Sequence, residues 1–169
     1  MSQRTLKPKK LTAEGFAPHG DVIAADPARA RAINYGATTR FHDLAGIDVG
    51  DGRAIVSIFR STPPAYPFTL TVMEKHPLAS QAFMPLSGRP YLVVVAPVGK
   101  FNPNAIEAFA AEPSQGVNYR RGVWHHYNLA LGAVSDFLVV DREGPAGEKE
   151  GENLEEISLA SFDPILLVP

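Results

Sequence analysis

The chain has 169 residues, a length that suits one domain with a substantial hydrophobic core. It is 45% hydrophobic and 20% charged with a net charge of −2, which argues against disorder and against a basic surface for nucleic acid. It contains no cysteine, which excludes disulfide bonds and thiolate chemistry. We therefore expect a single domain over residues 1–169 with no nucleic-acid partner.

The N-terminal stretch MSQRTLKPKK is basic and lacks the apolar segment of a secretory signal. The longest apolar run, YLVVVAPV, falls far short of the ~20 residues that a membrane-spanning helix needs. The prediction is a cytoplasmic protein that has no membrane contact.

Short runs of β-branched and aromatic residues, bounded by Pro, Gly and Asp, predict strands along most of the chain. In chain order the predicted strands cover residues 20–25, 53–60, 68–74, 81–86, 90–97 and 135–142, with further strand structure inside 118–131. One helix is predicted over 11–20 with Thr12 as its N-cap. A second is predicted over 102–113, with Asn102 as N-cap before Pro103. Many short strands and few helices predict a mainly β sandwich or barrel.

The first candidate site residues follow from the two-residue period of a strand. Alternate residues from Phe68 to Val72 are apolar and form the face expected to be buried. Glu74 and His76 continue that row, and an inward carboxylate is costly unless it is paired or bound to a metal. The alternative is that the strand ends at Met73 and that Glu74 is solvated.

A second candidate comes from GVWHH, in which His125 and His126 are neighbours. Adjacent residues of a strand point to opposite faces, so at most one of the two enters the same cavity as Glu74. Each is open to a structural reading, because histidines among Val, Trp and Tyr are often buried core residues. We take His125 as the candidate ligand and expect His126 on the other face.

The spacing of VMEKHPLASQAFMPLSG matches the first cupin motif, H-x-H, four residues, E, six residues, G. Its four positions are held by Glu74, His76, Gln81 and Gly88, and the residue types agree at His76 and Gly88. Gln81 thus stands where cupins carry a carboxylate, and a neutral amide is a weaker ligand for a divalent cation.

The second cupin motif ends P-x-G-x-x-H-x-x-x-N. Gly122 and His125 fit it, whereas Arg120 and Leu129 occupy the proline and asparagine positions. Together the two motifs indicate a mainly β, cupin-type (jelly-roll-like) β-barrel with a few short helices.

Over most of its length, from about Phe16 to Arg142, the chain resembles the ureidoglycolate lyase family in the segments HGDVI, RFHDLAG, MEKHPLASQAFMPLSG, YLVVVAP, QGVNYRRGVWHH and DFLVVDR. The resemblance implies a cupin-type barrel, a homodimer, and cleavage of (S)-ureidoglycolate to glyoxylate and urea in allantoin (purine) catabolism. It also implies a divalent metal, with Ni²⁺ among the named ions, and no organic cofactor. The metal ligands would be His76, Gln81 and His125, together with Glu74.

Cleavage of that C–N bond needs a base for the hydroxyl proton, an acid for the departing nitrogen and a grip on the carboxylate. Glu74 is the candidate base, and burial beside His76 is expected to raise its pKa. His76 and His125 would hold a metal or donate to substrate oxygens. Glu74, His76 and His125 are therefore the predicted catalytic residues.

The predicted substrate-binding residues are chosen for their hydrogen-bond donors. Arginine binds a carboxylate through two parallel hydrogen bonds, which makes Arg40, Arg60 and Arg142 candidates. Asn118 and Tyr119 would supply further hydrogen bonds. The competing interpretation of each arginine is a solvated surface residue, and Asp136 is expected to pair structurally with one of them.

Two other functions stay open from the sequence. One is a different metal-dependent cupin enzyme, such as an isomerase or dioxygenase, acting on a small hydroxy or keto acid. The other is a barrel that binds a small ligand without turnover; a regulator is disfavoured, because no DNA-reading helix is evident. Turnover separates enzyme from binder, and independence from oxygen separates a lyase from an oxidative cupin.

Overall fold

The computed structural model describes residues 3–169, and strands dominate it. The strands are β1 (Arg4–Leu6), β2 (Lys9–Lys10), β3 (Gly20–Ile23), β4 (Ala30–Ile33), β5 (Thr38–Phe41), β6 (Arg53–Ser61), β7 (Phe68–Thr69), β8 (Val72–Lys75), β9 (Gln81–Pro85), β10 (Tyr91–Ala96), β11 (Glu107–Ala111), β12 (Gly116–Tyr119), β13 (Trp124–His125), β14 (Leu129–Ala130), β15 (Ser135–Glu143), β16 (Glu155–Ser158) and β17 (Ile165–Leu167). The helical elements are α1 (Ala13–Phe16) and 3₁₀ turns at Pro27–Arg29, Asn34–Gly36 and Pro103–Ala105. None of the helices within the described range has the length and apolarity that crossing a membrane would require.

Two large sheets carry the architecture. The larger runs β16-β8-β13-β10-β11-β2, with β14 also paired to β10, and the second runs β3-β12-β9-β15-β6. A small sheet, β1-β17-β7, brings the two ends of the described chain together, and β4 pairs with β5 as a separate hairpin. This confirms the predicted mainly β fold with few short helices, which is consistent with a cupin-like arrangement.

The first hydrophobic core lies between the two large sheets. It joins Tyr91, Val93 and Val95 of β10 to side chains of the facing sheet. The facing side chains include Phe83 of β9, Val117 of β12, and Phe137 and Val139 of β15. Because these residues alternate along their strands, each large sheet turns one apolar face toward the other.

The second core lies on the opposite face of β10. It contains Leu92, Val94 and Ala96, which pack with Leu6, Ile165 and Leu167 of the small terminal sheet. All six residues of β10 are at most 2% exposed. The near-continuous apolar run YLVVVA is thus explained by burial on both faces.

The helix predicted over 102–113 is wrong. Asn102 does cap a turn, since its side chain accepts from the Asn104 amide, but the turn covers only Pro103–Ala105. Glu107–Ala111 then forms β11, which pairs antiparallel with β10. The helix predicted over 11–20 is confirmed only as the four-residue α1 (Ala13–Phe16), with Thr12 as its N-cap accepting from the Gly15 amide.

The strand predicted over 68–74 is broken in two. β7 pairs with β17, whereas β8 pairs with β13 and β16. Leu70 lies between the two strands and belongs to the same core as Met73, so the two-residue period does not hold across the break. The period resumes within β8, where Met73 and Glu74 lie on opposite faces.

Candidate active site

The site is built on the cross-strand pair of Glu74 and His125. These residues face each other in the antiparallel register of β8 and β13, and His125 in turn pairs with Val95 of β10. Since Val95 belongs to the core between the large sheets, the pair points into the same interior. Glu74 Oε1 lies 3.4 Å from His125 Nε2. The prediction that Glu74 faces inward is therefore supported by the register of its neighbours.

The tautomer of His125 follows from its backbone contact. Its Nδ1 lies 3.1 Å from the Val123 carbonyl, so Nδ1 carries the hydrogen and donates. In the neutral ring Nε2 is then a lone pair, and this buried atom has no hydrogen-bond partner. A lone pair that faces the Glu74 carboxylate needs a proton or a cation between the two atoms.

His76 follows β8 directly and joins the pair from the side. Its ring centroid lies 5.2 Å from that of His125. Its Nδ1 donates to the Asn153 carbonyl at 2.7 Å, which leaves Nε2 directed at Gln81 Oε1 at 3.2 Å. In the neutral ring this is again a lone pair against an acceptor oxygen.

The residues present fit a divalent metal. Each of Glu74, His76 and His125 offers one ligand atom, and these atoms lie within 4.8 Å of one another. In both histidines the nitrogen remote from the cluster donates to a backbone carbonyl, the usual arrangement for a histidine that ligates through its other nitrogen. The buried, unpartnered His125 Nε2 is the observation that favours a cation here. Gln81, the remaining predicted ligand, is buried and contacts His76.

Two aromatic contacts fix the histidines. The Tyr119 ring stacks on His125 with centroids 4.3 Å apart and planes at 12°. His126 lies on the opposite face, where its ring meets Phe68 edge-on at 5.6 Å. The two adjacent histidines thus lie on opposite faces, and His125 is the one that joins Glu74 and His76.

The expected rise in the pKa of Glu74 is wrong. Burial is the largest single influence and acts to raise it, but the neighbouring His125, with smaller contributions from His76 and His126, outweighs burial and lowers the pKa of Glu74. The pKa of His76 is also lowered, first by burial and then by the neighbouring His125. Glu74 is therefore ionised at neutral pH.

Two cavities meet at Gln81. The smaller, about 310 Å³, is lined by Glu74, Gln81 and His125 on one side. The remainder of its lining is Phe59, Arg60, Ser61, Phe83, Tyr127 and Asn128. The larger, about 630 Å³, is lined by His76, Gln81 and Asp141 together with the polar segment 142–154. A small ligand thus has access to the cluster from both sides of Gln81.

The three predicted arginines lie in different places. Arg60 lines the smaller cavity, and its Nε and one terminal nitrogen bind both carboxylate oxygens of Asp136, at 2.8 and 2.9 Å. Arg142 is buried and donates to Glu148, Asp51 and the Val49 carbonyl. Arg40 lies in the exposed hairpin β4–β5 and lines neither cavity.

The two other predicted substrate contacts are already engaged. Asn118 is buried, and its amide donates to Asp21 Oδ2 at 3.0 Å and to the Gly46 carbonyl at 2.9 Å. Tyr119 is buried as the stacking partner of His125. Both residues therefore support the site wall in this structure.

Sequence reasoning missed Asp141 and Asn128. Asp141 lines the larger cavity and accepts from Gln81 Nε2 at 3.4 Å, while its Oδ1 is buried without a partner. Asn128 lines the smaller cavity, and its Nδ2 is also buried without a partner. The alternation of Phe137, Val139 and Asp141 is the same signal that located Glu74.

Comparison with known proteins identifies the family of this chain. A sequence model described as ureidoglycolate lyase matches residues 3–165. The chain belongs to the ureidoglycolate lyase family.

Relatives across three bacteria support the assignment. A protein named ureidoglycolate lyase from Burkholderia cepacia is 54% identical over 162 residues, covering 94% of this chain and 92% of that protein. One of the same name from Burkholderia mallei (strain NCTC 10229) is 51% identical and covers 98% of both chains. Ureidoglycolate lyase 1 from Rhizobium meliloti (strain 1021) is 50% identical, covering 97% of this chain and 93% of its own. The ureidoglycolate lyase family therefore accounts for nearly the whole chain.

Proposed function

We propose that this chain is a carbon–nitrogen lyase that cleaves (S)-ureidoglycolate to glyoxylate and urea. Membership of the ureidoglycolate lyase family over nearly the full length is the observation that carries this proposal. The inward cluster of Glu74, His76 and His125 supports it, because it offers a base and ligand atoms at one point of the interior.

The reaction is balanced within the substrate. The hydroxyl proton leaves, the C–O bond becomes a carbonyl, the C–N bond breaks, and the departing urea nitrogen gains a proton. Neither water nor an oxidant is consumed. Glu74 is the proposed base, since its lowered pKa keeps it ionised and ready to accept the hydroxyl proton.

A divalent metal would be held by Glu74, His76 and His125, and nickel is our proposal from the family resemblance. Such an ion would supply Lewis-acid chemistry, which lowers the pKa of a hydroxyl group. Gln81 contacts His76 Nε2 and orients the site wall rather than adding charge. His76 and His125 direct their second nitrogens inward because their Nδ1 atoms are held by backbone carbonyls.

Arg60 is the proposed anchor for the substrate carboxylate. It lines the same cavity as Glu74 and His125, and Asp136 occupies only part of its guanidinium. Arg142 has its donors committed to Glu148, Asp51 and Val49, which favours a role in holding the segment after β15. The proposed contacts of Arg40, Asn118 and Tyr119 with substrate have weaker support from geometry.

We also propose a homodimer, which the outer face of β6 supports. β6 is an edge strand of its sheet, with Val56 67% and Ile58 55% exposed. Exposed apolar side chains on an unpaired edge are typical of a surface that another chain covers. Sedimentation of the wild type as a dimer, and of an Ile58→Lys variant as a monomer, would support this interface; a monomeric wild type would contradict it.

A cytoplasmic location stays a prediction.

The deciding experiment follows racemic ureidoglycolate by proton NMR, with and without prior chelator treatment, against a control without protein. We expect half of the substrate to disappear rapidly, giving urea and glyoxylate. The same rate without oxygen separates a lyase from an oxidative cupin. Binding without acceleration, even after Ni²⁺, Mn²⁺ or Zn²⁺ is added, would overturn the lyase and leave a ligand-binding barrel.

A further inference from the structure

Asp141 is a half-buried carboxylate at the end of the row of β15 side chains that faces the core between the large sheets. It stands two residues after Val139 on β15, and Phe137 and Val139 on the same face are at most 1% exposed. Burial raises the pKa of its carboxyl. An inward carboxyl is costly unless something in the site uses it.

The hydrogen bonding of Asp141 is incomplete. Oδ2 accepts from Gln81 Nε2 at a long 3.4 Å, and Oδ1 is buried with no partner. The next residue, Arg142, also lines the larger cavity, but its guanidinium is bound to Asp51 and Glu148. A buried acceptor without a donor is uncommon in a native protein and indicates a missing partner.

The position of Asp141 relates it to the cluster through Gln81. Asp141, His76 and Gln81 line the larger cavity, while Gln81 also lines the smaller one with Glu74 and His125. If the hydroxyl-bearing carbon of the substrate lies at Glu74, either its carboxylate or its ureido group would extend past Gln81 into the larger cavity. The Arg60 side of the smaller cavity suits the carboxylate end, which leaves the ureido end for Asp141.

We infer that Asp141 accepts a hydrogen bond from the terminal NH₂ of the ureido group and so determines specificity for ureido over other acylamino substrates. This inference rests on the proposed function. A ureido group presents N–H donors on its outer edge, and a carboxyl group keeps an acceptor oxygen in either protonation state. A site built around such a bond rejects a substrate that lacks the donor, because its own acceptor is then left unpaired.

The test compares ureidoglycolate with N-acetyl-α-hydroxyglycine, in which a methyl group replaces the terminal NH₂. For the wild type we expect kcat/KM for ureidoglycolate to exceed that for the acetyl compound by at least about 100-fold. In Asp141→Leu that ratio should fall to within about tenfold of unity, mainly by loss of ureidoglycolate turnover. Asp141→Asn keeps one acceptor oxygen and the polar surroundings, so it should fold and retain an intermediate ratio.

The control is Glu112→Gln, a carboxylate-to-amide change at an exposed residue paired with Lys10. It should keep the wild-type ratio. If the wild type turns over ureidoglycolate and folded Asp141 variants keep the full ratio, the role of Asp141 is overturned while the lyase stands. If the wild type fails to accelerate ureidoglycolate cleavage, the proposed function falls and this inference falls with it.

Discussion

Tyr119 and His125 lie face to face, with ring centroids 4.3 Å apart and an angle of 12° between their planes. The stack holds the imidazole plane, while the Val123 carbonyl holds its Nδ1. Two independent contacts therefore aim His125 Nε2 at Glu74. Stacking needs a ring, whereas substrate binding by Tyr119 would need its hydroxyl.

The first prediction separates these roles. Tyr119→Phe keeps the stack, so kcat/KM for ureidoglycolate should stay within about threefold of the wild type. Tyr119→Leu frees the imidazole and should lower kcat/KM at least about tenfold, since a misplaced catalytic group costs rate steeply. Steady-state kinetics on folded variants measure these values. A large loss of kcat/KM in Tyr119→Phe would instead indicate that the Tyr119 hydroxyl binds the substrate.

Replacing Glu74 removes the proposed base. Glu74→Gln preserves shape but cannot take the hydroxyl proton, so kcat should fall at least about 100-fold. The matched control is Glu155→Gln, on the strand next to β8, whose exposed carboxylate pairs with Lys75. Normal turnover by Glu74→Gln would rule out the base assignment.

The pH dependence of kcat/KM tests the same residue differently. A base must be deprotonated to work, and the pKa of Glu74 is lowered from its ordinary value of 4.5 by His125 and its neighbours despite burial. Activity should therefore persist as the pH falls from 8 to about 5 and decline only below the ordinary glutamate pKa. Rates corrected for spontaneous decay give the profile. A decline centred between pH 6 and 7 would point to a histidine base instead.

Metal binding has a readout that is independent of turnover. Chelator-treated protein should bind one Ni²⁺ per chain in calorimetry, through Glu74, His76 and His125. His125→Ala should weaken that binding at least about tenfold. His42→Ala, at the end of the exposed hairpin, should bind like the wild type. Equal affinities in the two variants would place the metal elsewhere.

His126 makes stability depend on pH. Burial, despite a hydrogen bond to the Tyr127 carbonyl, lowers the pKa of His126 from 6.5 to about 4 in the folded state. Between these values the unfolded chain binds the proton and the folded chain does not. The free energy of unfolding should therefore be level above pH 6.5 and fall toward pH 4, by about 3 kcal/mol from this group. Urea unfolding checks this: His126→Phe should flatten that slope, and an unchanged slope would contradict it.

Much of the site was predictable because the strand period is local. Glu74 does face inward, but the row from Phe68 that was used to predict this breaks at Leu70, so that part of the argument was wrong. His125 was located because adjacent residues of a strand point to opposite faces. The alternation of Phe137, Val139 and Asp141 would have located Asp141 as a second carboxylate of the site. The direction of the Glu74 pKa was not predictable, because it depends on histidines from two distant segments converging on one point.

The errors in the fold arose where pairing decides structure. The stretch after Asn102 is rich in alanine and has a helix cap, so local propensity favours a helix. The neighbouring β10 offers an antiparallel edge for pairing, and the burial of Ala108, Phe109 and Ala111 as strand residues outweighs the helix propensity. The continuous strand predicted through Leu70 was wrong for a similar reason. The two short strands on either side of Leu70 pair with different strands, β7 with β17 and β8 with β13.

The two-sided burial of β10 has a consequence for how the molecule comes apart. Alternate side chains of this strand belong to both cores, so neither core opens without exposing the other. The cores are thereby joined into one cooperative unit, and we expect the amide hydrogens of Tyr91–Ala96 to exchange with solvent only when both cores unfold. The exposed hairpin β4–β5, which packs on neither core, is free to open without that cost. Amide hydrogens of the two cores should therefore exchange slowly and together, whereas those of the β4–β5 hairpin should exchange fast and independently.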